Sequence, residues 1–385
     1  MQDEQFRQDV LDTFEYLHTH PEISWEEKNT SRFIQEQLEK AGCKVTTFSD
    51  CTGVIADFGE VSKGKPVIAI RADMDALWQE VDGTFQANHS CGHDAHMTMV
   101  LGALWTLAED PSIKERVTVR FIFQPAEEVG DGALKMVEKG AVDDVDYLFG
   151  IHLRPVQEAS DGYATPAIIH GAAASIECEI IGDDAHGARP HLTNNAIDVG
   201  THIVNAINAI HLDPSVPHSV KVTKFQAGGK SVNIIPGQAS LAFDLRAQTN
   251  KHMELLKEKV HDTLKATEQL YQTSIHVTKE YGIAAAEVSP EAEDISRMAI
   301  SKVLGADRTM EPIVTPGGDD FHFYTIKKPE LKATMVGLGC DLKPGLHHPQ
   351  MTFNREAMFN GIKIIAEIVK VIAEKERVRV ETNSH

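Results

Sequence analysis

Nine residues, Asn88 to His96 (NHSCGHDAH), hold one cysteine, three histidines and an aspartate. Thiolate, imidazole and carboxylate are the usual donors to zinc, and Cys91 and His93 offer two of them from a single turn. The nonapeptide alone leaves two readings open: a metal site, or a buried cysteine flanked by histidines at a helix start. A second cluster, QPAEEVGDG (124–132), sets Glu127 and Glu128 side by side directly after an apolar run. Paired acids are ordinarily solvated charge. At the end of a buried strand, however, one can ligate a metal while its neighbour acts as a base on water that the metal activates. GIHLRP adds His152, and GLHHPQM adds His347 and His348 before a proline. One such histidine means little, but four separated clusters of ligand types point to a common centre.

These residues must be brought together by the elements that carry them. Phe6, Val10, Phe14 and Leu17 recur at helical spacing. A second helix is predicted from SWEE, with Ser24 and Glu27 as a capping box, to Ala41-Gly42. KVTTF, GVIADF and the continuous apolar run PVIAIRA (66–72) read as strands, the last buried on both faces. Helical patterns near 94–108 and 131–140 alternate with strands at 116–123 and 146–153, which predicts a mainly parallel sheet covered by helices. Ligands bind at the carboxyl ends of such strands, and there lie Asp73 and Asp75, Glu127 and Glu128, and His152.

From about residue 173 the pattern becomes β-α-β-β-α-β: SIECEII, a helix near 195–211, SVKVTKF, QASLAFDLRA, a helix near 251–270 and SIHVTKEYG. That order predicts an α+β sandwich of the ferredoxin type. After 286 a helix, the run KATMVGLG and a helix from Asn354 to about Glu374 return to the first sheet. The expected organisation is therefore α/β: a discontinuous catalytic domain (1–172 and 286–385) carrying an inserted lid or dimerisation domain (173–285).

Composition bounds the function. At 385 residues the chain exceeds what one hydrophobic core usually serves. Its 57 acidic against 37 basic residues give a formal charge of −20, which repels polyanions and argues against a nucleic-acid role. The start, MQDEQFRQDV, has no apolar core, and no run approaches a membrane span. Five scattered cysteines suit a reduced compartment, so a soluble cytoplasmic protein is expected.

Read in order, RADMDAL, HSCGHDAH, FQPAEE, GIHLRP, AHGARPH, VNIIP and LHHP resemble the signature set of the zinc-type amidohydrolases and peptidases related to aminoacylase, hippurate hydrolase and the hydrolases of auxin-amino-acid conjugates. The resemblance spans almost the whole chain, from HTHPEIS to the last helix. It implies two divalent metal ions, zinc or manganese, with cobalt or nickel also possible. Cys91, His93, Glu128, His152 and His347 would hold them, with Cys91 bridging. It implies Glu127 as general base, His186 as oxyanion donor, Asn233 and Arg246 as contacts to the substrate carboxylate, and Asp73, Asp75 and Asp94 as residues that orient ligand imidazoles. His89 and His96 are left as helix-start or packing residues. The implied reaction is hydrolysis of an N-acyl amino acid to a carboxylic acid and a free amino acid, by a possible homodimer that acts neither on nucleic acid nor at membranes. The alternatives are a dipeptidase or carboxypeptidase using the same residues, and a silent binding module.

The chain also departs from these relatives. Trp78 stands where proline commonly follows RADMDAL, and the segment WQEVDGTFQA is its own. GDDAHGA replaces a glycine pair with Asp183 and Asp184, and Asp319 stands where glutamate is usual.

Overall fold

The computed structural model describes residues 2–383. The chain forms two compact units. The first runs from the N-terminus to Ile169, takes in Glu287–Ile313 and resumes at Asp320; the second comprises His170–Ala286 and Val314–Asp319. Val314–Asp319 joins the second unit through the backbone, since the Gly171 N–H donates to Thr315 O (3.0 Å) and Gly317 O (3.1 Å).

The first unit is built on a seven-stranded sheet. In spatial order its strands are Lys44–Thr47, Val54–Phe58, Thr118–Gln124, Val67–Asp73, Tyr147–Pro155, Lys332–Leu342 and Ala164–Thr165. The four from Thr118–Gln124 to Lys332–Leu342 are mutually parallel, and the edge strands are antiparallel. Every residue of Val67–Asp73 and of Thr118–Gln124 is buried, which is why apolar residues fill both faces of these strands rather than alternating, with the buried polar side chains Arg71, Asp73, Arg120 and Gln124 hydrogen-bonded. Helix His93–Ala108 is apolar on nearly all sides and correspondingly buried on nearly all sides. It packs on the last helix, Ala357–Asn383, so closely that a Cβ at Gly102 would meet Ile362 Cδ1 at 2.5 Å. That last helix outruns its expected end at Glu374 by about two turns.

Two local expectations need correction. The second helix spans Lys28–Lys40 and has no Ser24/Glu27 capping box. Its first amides are satisfied by Glu22, whose carboxylate accepts from Asn29 N (3.2 Å) and Thr30 N (2.8 Å). Ser24 and Glu27 are thereby released for other partners. The unassigned segment after RADMDAL is a hairpin of Leu77–Val81 and Thr84–Asn88. Asp82 (φ 49°) and Gly83 (φ 82°) both take the left-handed conformation that a two-residue turn requires.

The second unit has the expected ferredoxin-like order. Its strands lie as His218–Ala227, Ala239–Ala247, Ala172–Ile181 and Ser274–Ile283, all antiparallel. Helices Ala196–Asn208 and Asn250–Tyr271 bury Val199, Ile203, Leu256 and Val260 against Ile176, Leu241 and Phe243. The alternating burial of Ala172–Ile181 shows a sheet covered on one face only.

Candidate metal centre

The carboxyl ends of the parallel strands deliver the candidate residues. Val67–Asp73 ends in Asp73 and leads to Asp75, and Thr118–Gln124 leads into Pro125-Ala126-Glu127-Glu128. His152 lies inside Tyr147–Pro155, opposite Gly337 of its neighbour, and so is held by the sheet itself. Cys91 and Gly92 precede helix His93–Ala108, and Gly92 takes φ 87° where the chain turns into it. His347 sits beyond the end of Lys332–Leu342 on a loop, also left-handed at φ 64°, with its N–H donated to Ser90 O (2.8 Å).

Donor atoms from these five segments converge. Cys91, His93 and His152 form one group and Cys91, Glu128 and His347 a second, each with donors within 4.8 Å of one another. Cys91 belongs to both, the arrangement a bridging thiolate needs. His93 Nε2 is 3.7 Å from Glu128 Oε1 and 3.8 Å from Glu127 Oε2, His347 Nε2 is 3.4 Å from Glu128 Oε2, and Cys91 Sγ is 3.6 Å from His152 Nε2. Bonds of 2.0–2.3 Å to a tetrahedral ion place donors roughly 3.3–3.8 Å apart, so the spacing suits a cation at the centre. Both ring nitrogens of His93 and Oε1 of Glu128 are buried with no hydrogen-bond partner among the described residues. Such orphaned donors are costly unless something compensates them. His348 turns away, its Nδ1 accepting from Gln350 N.

Surrounding groups fix the orientation of the histidines. The Leu153 N–H can only donate, so His96 Nε2 accepts it (3.0 Å) and the ring proton lies on Nδ1, which donates to Asp73 (2.7 Å). His96 thus bridges Asp73 to the backbone beside His152 and offers no free nitrogen. His152 donates from Nδ1 to Leu153 O (2.7 Å), leaving Nε2 toward Cys91. Asp73 is gripped in turn by the buried Arg71, which also reaches Gln124 and Asp320. Asp75 stands 3.4 Å from His93 Nδ1, a long ionic contact. Asp94 accepts from His18 (2.6 Å) and from the Ala95 N–H, and so orients His18 rather than a candidate ligand. Both ring nitrogens of His89 are buried with no hydrogen-bond partner among the described residues.

The local field favours positive charge. Burial opposes charging His93, but Asp73, Asp75 and Glu128 outweigh it and push the imidazole up to about 10. Asp73, although burial alone would raise it, is held well below the usual carboxylate range by His93, Arg71 and His96. His152 is pushed down by burial, then by His96 and Arg154, which keeps it a neutral donor.

The carboxylate pair depends on an unusual backbone. Ala126 has φ 54°, and the three amides that follow from it are each received by a carboxylate oxygen: Ala126 N by Glu27 (2.9 Å), and Glu127 N and Glu128 N by the two oxygens of Asp75 (3.0 Å each). Ser24 donates to Asp75 (2.7 Å). Sequence reasoning missed these roles because SWEE also fits a capping box. The hairpin was missed as well, although Asp-Gly between two β-rich runs signals it. Its Gln79 donates to His347 O (3.1 Å), and its Asn88 donates to Gln79 (2.7 Å) and to Pro349 O (3.0 Å).

The other three predicted residues belong to the second unit. His186 is exposed on the short strand Ala185–His186, which pairs with Ile234–Ile235 beside the exposed Asn233. Arg246 is exposed on Ala239–Ala247, its guanidinium held by Asp244 at 2.9 and 3.0 Å.

Known proteins resemble this chain along most of its length. An N-acetylcysteine deacetylase of Bacillus subtilis is 29% identical over 97% of this chain and 99% of its own length. Thermostable carboxypeptidase 1 of Saccharolobus solfataricus is 31% identical over 81% of this chain and 82% of its own. The crystal structure of the YxeP protein of Bacillus subtilis, a dinuclear metal-binding peptidase, matches with a TM-score of 0.81 and 26% identity over 97% of this chain and 99% of that one. A longer Rhodococcus jostii relative, 29% identical, is spanned over only 46% of its length. Among the described residues no helix is long and apolar enough to cross a membrane. Residues 69–371 match the model of peptidase family M20/M25/M40, and the chain belongs to that family of metal-dependent hydrolases.

Proposed function

We propose that this hydrolase cleaves the amide bond of N-acyl amino acids, releasing a carboxylic acid and a free amino acid. The observation that carries the reading is the pair of donor groups sharing Cys91, with the Glu127 carboxylate 3.8 Å from His93 Nε2. Cys91, His93, Glu128, His152 and His347 would hold two divalent ions, zinc or manganese, with cobalt or nickel also suited to a thiolate, imidazole and carboxylate set. Bound there, the ions would supply Lewis acidity to the amide carbonyl and to water.

The chain's own residues do the rest. Glu127, 7% exposed, takes the proton of the attacking water and returns it to the departing amine. His186 donates to the tetrahedral oxyanion, a task whose removal costs about 10²–10³ in rate. Asn233 and Arg246 receive the substrate's free carboxylate, for which a planar guanidinium is suited. Asp73 and Asp75 orient imidazoles. The second unit acts as lid and as dimer surface, in a cytoplasmic protein.

A second reading, a dipeptidase or carboxypeptidase acting through the same residues, is favoured by the likeness to a carboxypeptidase. Amine release from a panel of N-acetyl amino acids, N-benzoylglycine and dipeptides, with manganese or zinc added, separates the two. Faster turnover of the acyl amino acids is expected, and selective turnover of dipeptides would shift the assignment to peptidase.

A further inference from the structure

The segment from Glu22 to Glu27 is stitched onto the carboxylate end of the sheet. Ile23 bridges to Ala76, the Ala76 N–H donates to Glu22 O (2.8 Å), and Ser24 donates to Asp75. Glu27 closes this stitch. It is fully buried, accepts from Ala126 N (2.9 Å) on one oxygen and from the Thr52 hydroxyl (2.5 Å) on the other, and its own carbonyl is held by the Ser31 N–H (2.9 Å) and hydroxyl (2.6 Å).

Two facts show that this carboxylate does not serve the helix it precedes. The helix amides are satisfied by Glu22, and the Glu27 side chain makes no cap bond. Its partner, meanwhile, is the one peptide of the loop whose residue stands at a positive φ without being glycine. A left-handed alanine persists only when its surroundings over-determine it. The peptide at Ala126 also decides which way the next two side chains point. If it rotated toward an ordinary conformation, the chain beyond it would leave at another angle, and Glu127 and Glu128, now 3.8 and 3.7 Å from His93 Nε2, would lose that convergence.

We propose that Glu27 is a positioning residue of the hydrolytic site: a buried brace that locks the Ala126 peptide and thereby aims Glu127 at water and Glu128 at the metal donors. The inference rests on the reading of those two residues given above. Groups that orient metal ligands from behind typically account for 10–100-fold in affinity or activity when removed, and a displacement of about 1 Å at a reacting group costs about 100-fold.

The test compares Glu27→Ala with Glu27→Gln in the full-length protein. The glutamine oxygen still accepts from Ala126 N–H, and its amide donates to the Thr52 hydroxyl. Manganese affinity is measured by calorimetry, cobalt-substituted protein is followed by its visible spectrum, and kcat and KM are measured on the best N-acyl amino acid of the panel at saturating manganese. Glu27→Ala is expected to weaken manganese binding or lower kcat by about 10–100-fold with KM within about twofold, and to alter the cobalt spectrum; Glu27→Gln restores all three. A Glu27→Ala protein that is merely less stable, with wild-type kcat, metal affinity and cobalt spectrum, overturns the proposal. If Glu27→Ala does not fold, Thr52→Val frees the second oxygen of Glu27. A several-fold fall in kcat or metal affinity then supports the brace, and wild-type values refute it. Glu127→Gln, run in parallel, separates the two failures. An inactive Glu127→Gln beside a normal Glu27→Ala refutes the brace alone, whereas an active Glu127→Gln removes the base assignment and the brace with it.

Discussion

Replacing Asp75 by asparagine removes one charge and one acceptor while keeping the shape. In the structure the two Asp75 oxygens receive Glu127 N, Glu128 N and the Ser24 hydroxyl, and Oδ1 lies 3.4 Å from His93 Nδ1. Asparagine keeps one acceptor oxygen. Its NH₂ can donate to the Ser24 hydroxyl if that rotates, but it faces one loop N–H donor to donor. One backbone N–H is left without a partner, at about 1–3 kcal/mol, and the surviving bond loses its charge assistance. The metal-free protein should lose about 2–4 kcal/mol of unfolding free energy in urea, and manganese affinity should fall about 10–100-fold as His93 loses its anionic neighbour. The sign is informative because Asp73, Glu127 and Glu128 crowd the same centre. If their mutual repulsion dominated, Asp75→Asn would stabilise the metal-free protein. A variant as stable as wild type or more so, with unchanged metal affinity, would refute the claim that Asp75 holds the loop by hydrogen bonding.

Three further outcomes follow from the same contacts. Gln79→Ala removes the donor to His347 O, and calorimetry should show about a tenfold loss of affinity for one of two manganese ions, with the other unchanged. Gly132→Ala sets a Cβ 1.6 Å from Pro125 O, a backbone atom that yields only by moving the loop; the fold should lose at least about 2 kcal/mol and turnover should drop with it. Burial, partly offset by the Thr52 bond and reinforced by Asp75, pushes the Glu27 carboxyl up to about 7 from its ordinary 4.5. A carboxyl raised in this way contributes stability fully present below pH 4.5 and lost as the pH rises through 7, about 3 kcal/mol in all. Unfolding curves of metal-free wild type and Glu27→Gln should therefore diverge in favour of glutamine by that amount between pH 4.5 and 8, and a constant gap would contradict it.

The parallel sheet was legible because a strand buried on both faces, such as Val67–Asp73, opens with an unbroken apolar run, Val67 to Ile70, and the sandwich because Ala172–Ile181 must alternate. The ligand-rich clusters were legible because few residue types bind metal; which of their members to take as donors came from the family resemblance, and His152, expected at a strand end, lies inside its strand. What escaped was non-local. SWEE satisfies the capping-box pattern, and only the fold reveals that Glu22 caps the helix while Ser24 and Glu27 reach Asp75 and Ala126, the latter 99 residues along the chain. His96 read as packing because its two partners, Asp73 and Leu153, are assembled only by strand pairing. Asp94 read as a support for ligand imidazoles, but its free oxygen faces the N-terminal helix and meets His18.

On the proposed function, Glu127 transfers the proton of water while other residues hold the metal. The direct measurement is metal content by elemental analysis, together with amine release from N-acyl amino acids, for wild type and Glu127→Gln. About two divalent ions per chain are expected in both proteins, with turnover in the wild type and a loss of at least about 10²-fold in the variant. Full activity in Glu127→Gln would contradict it.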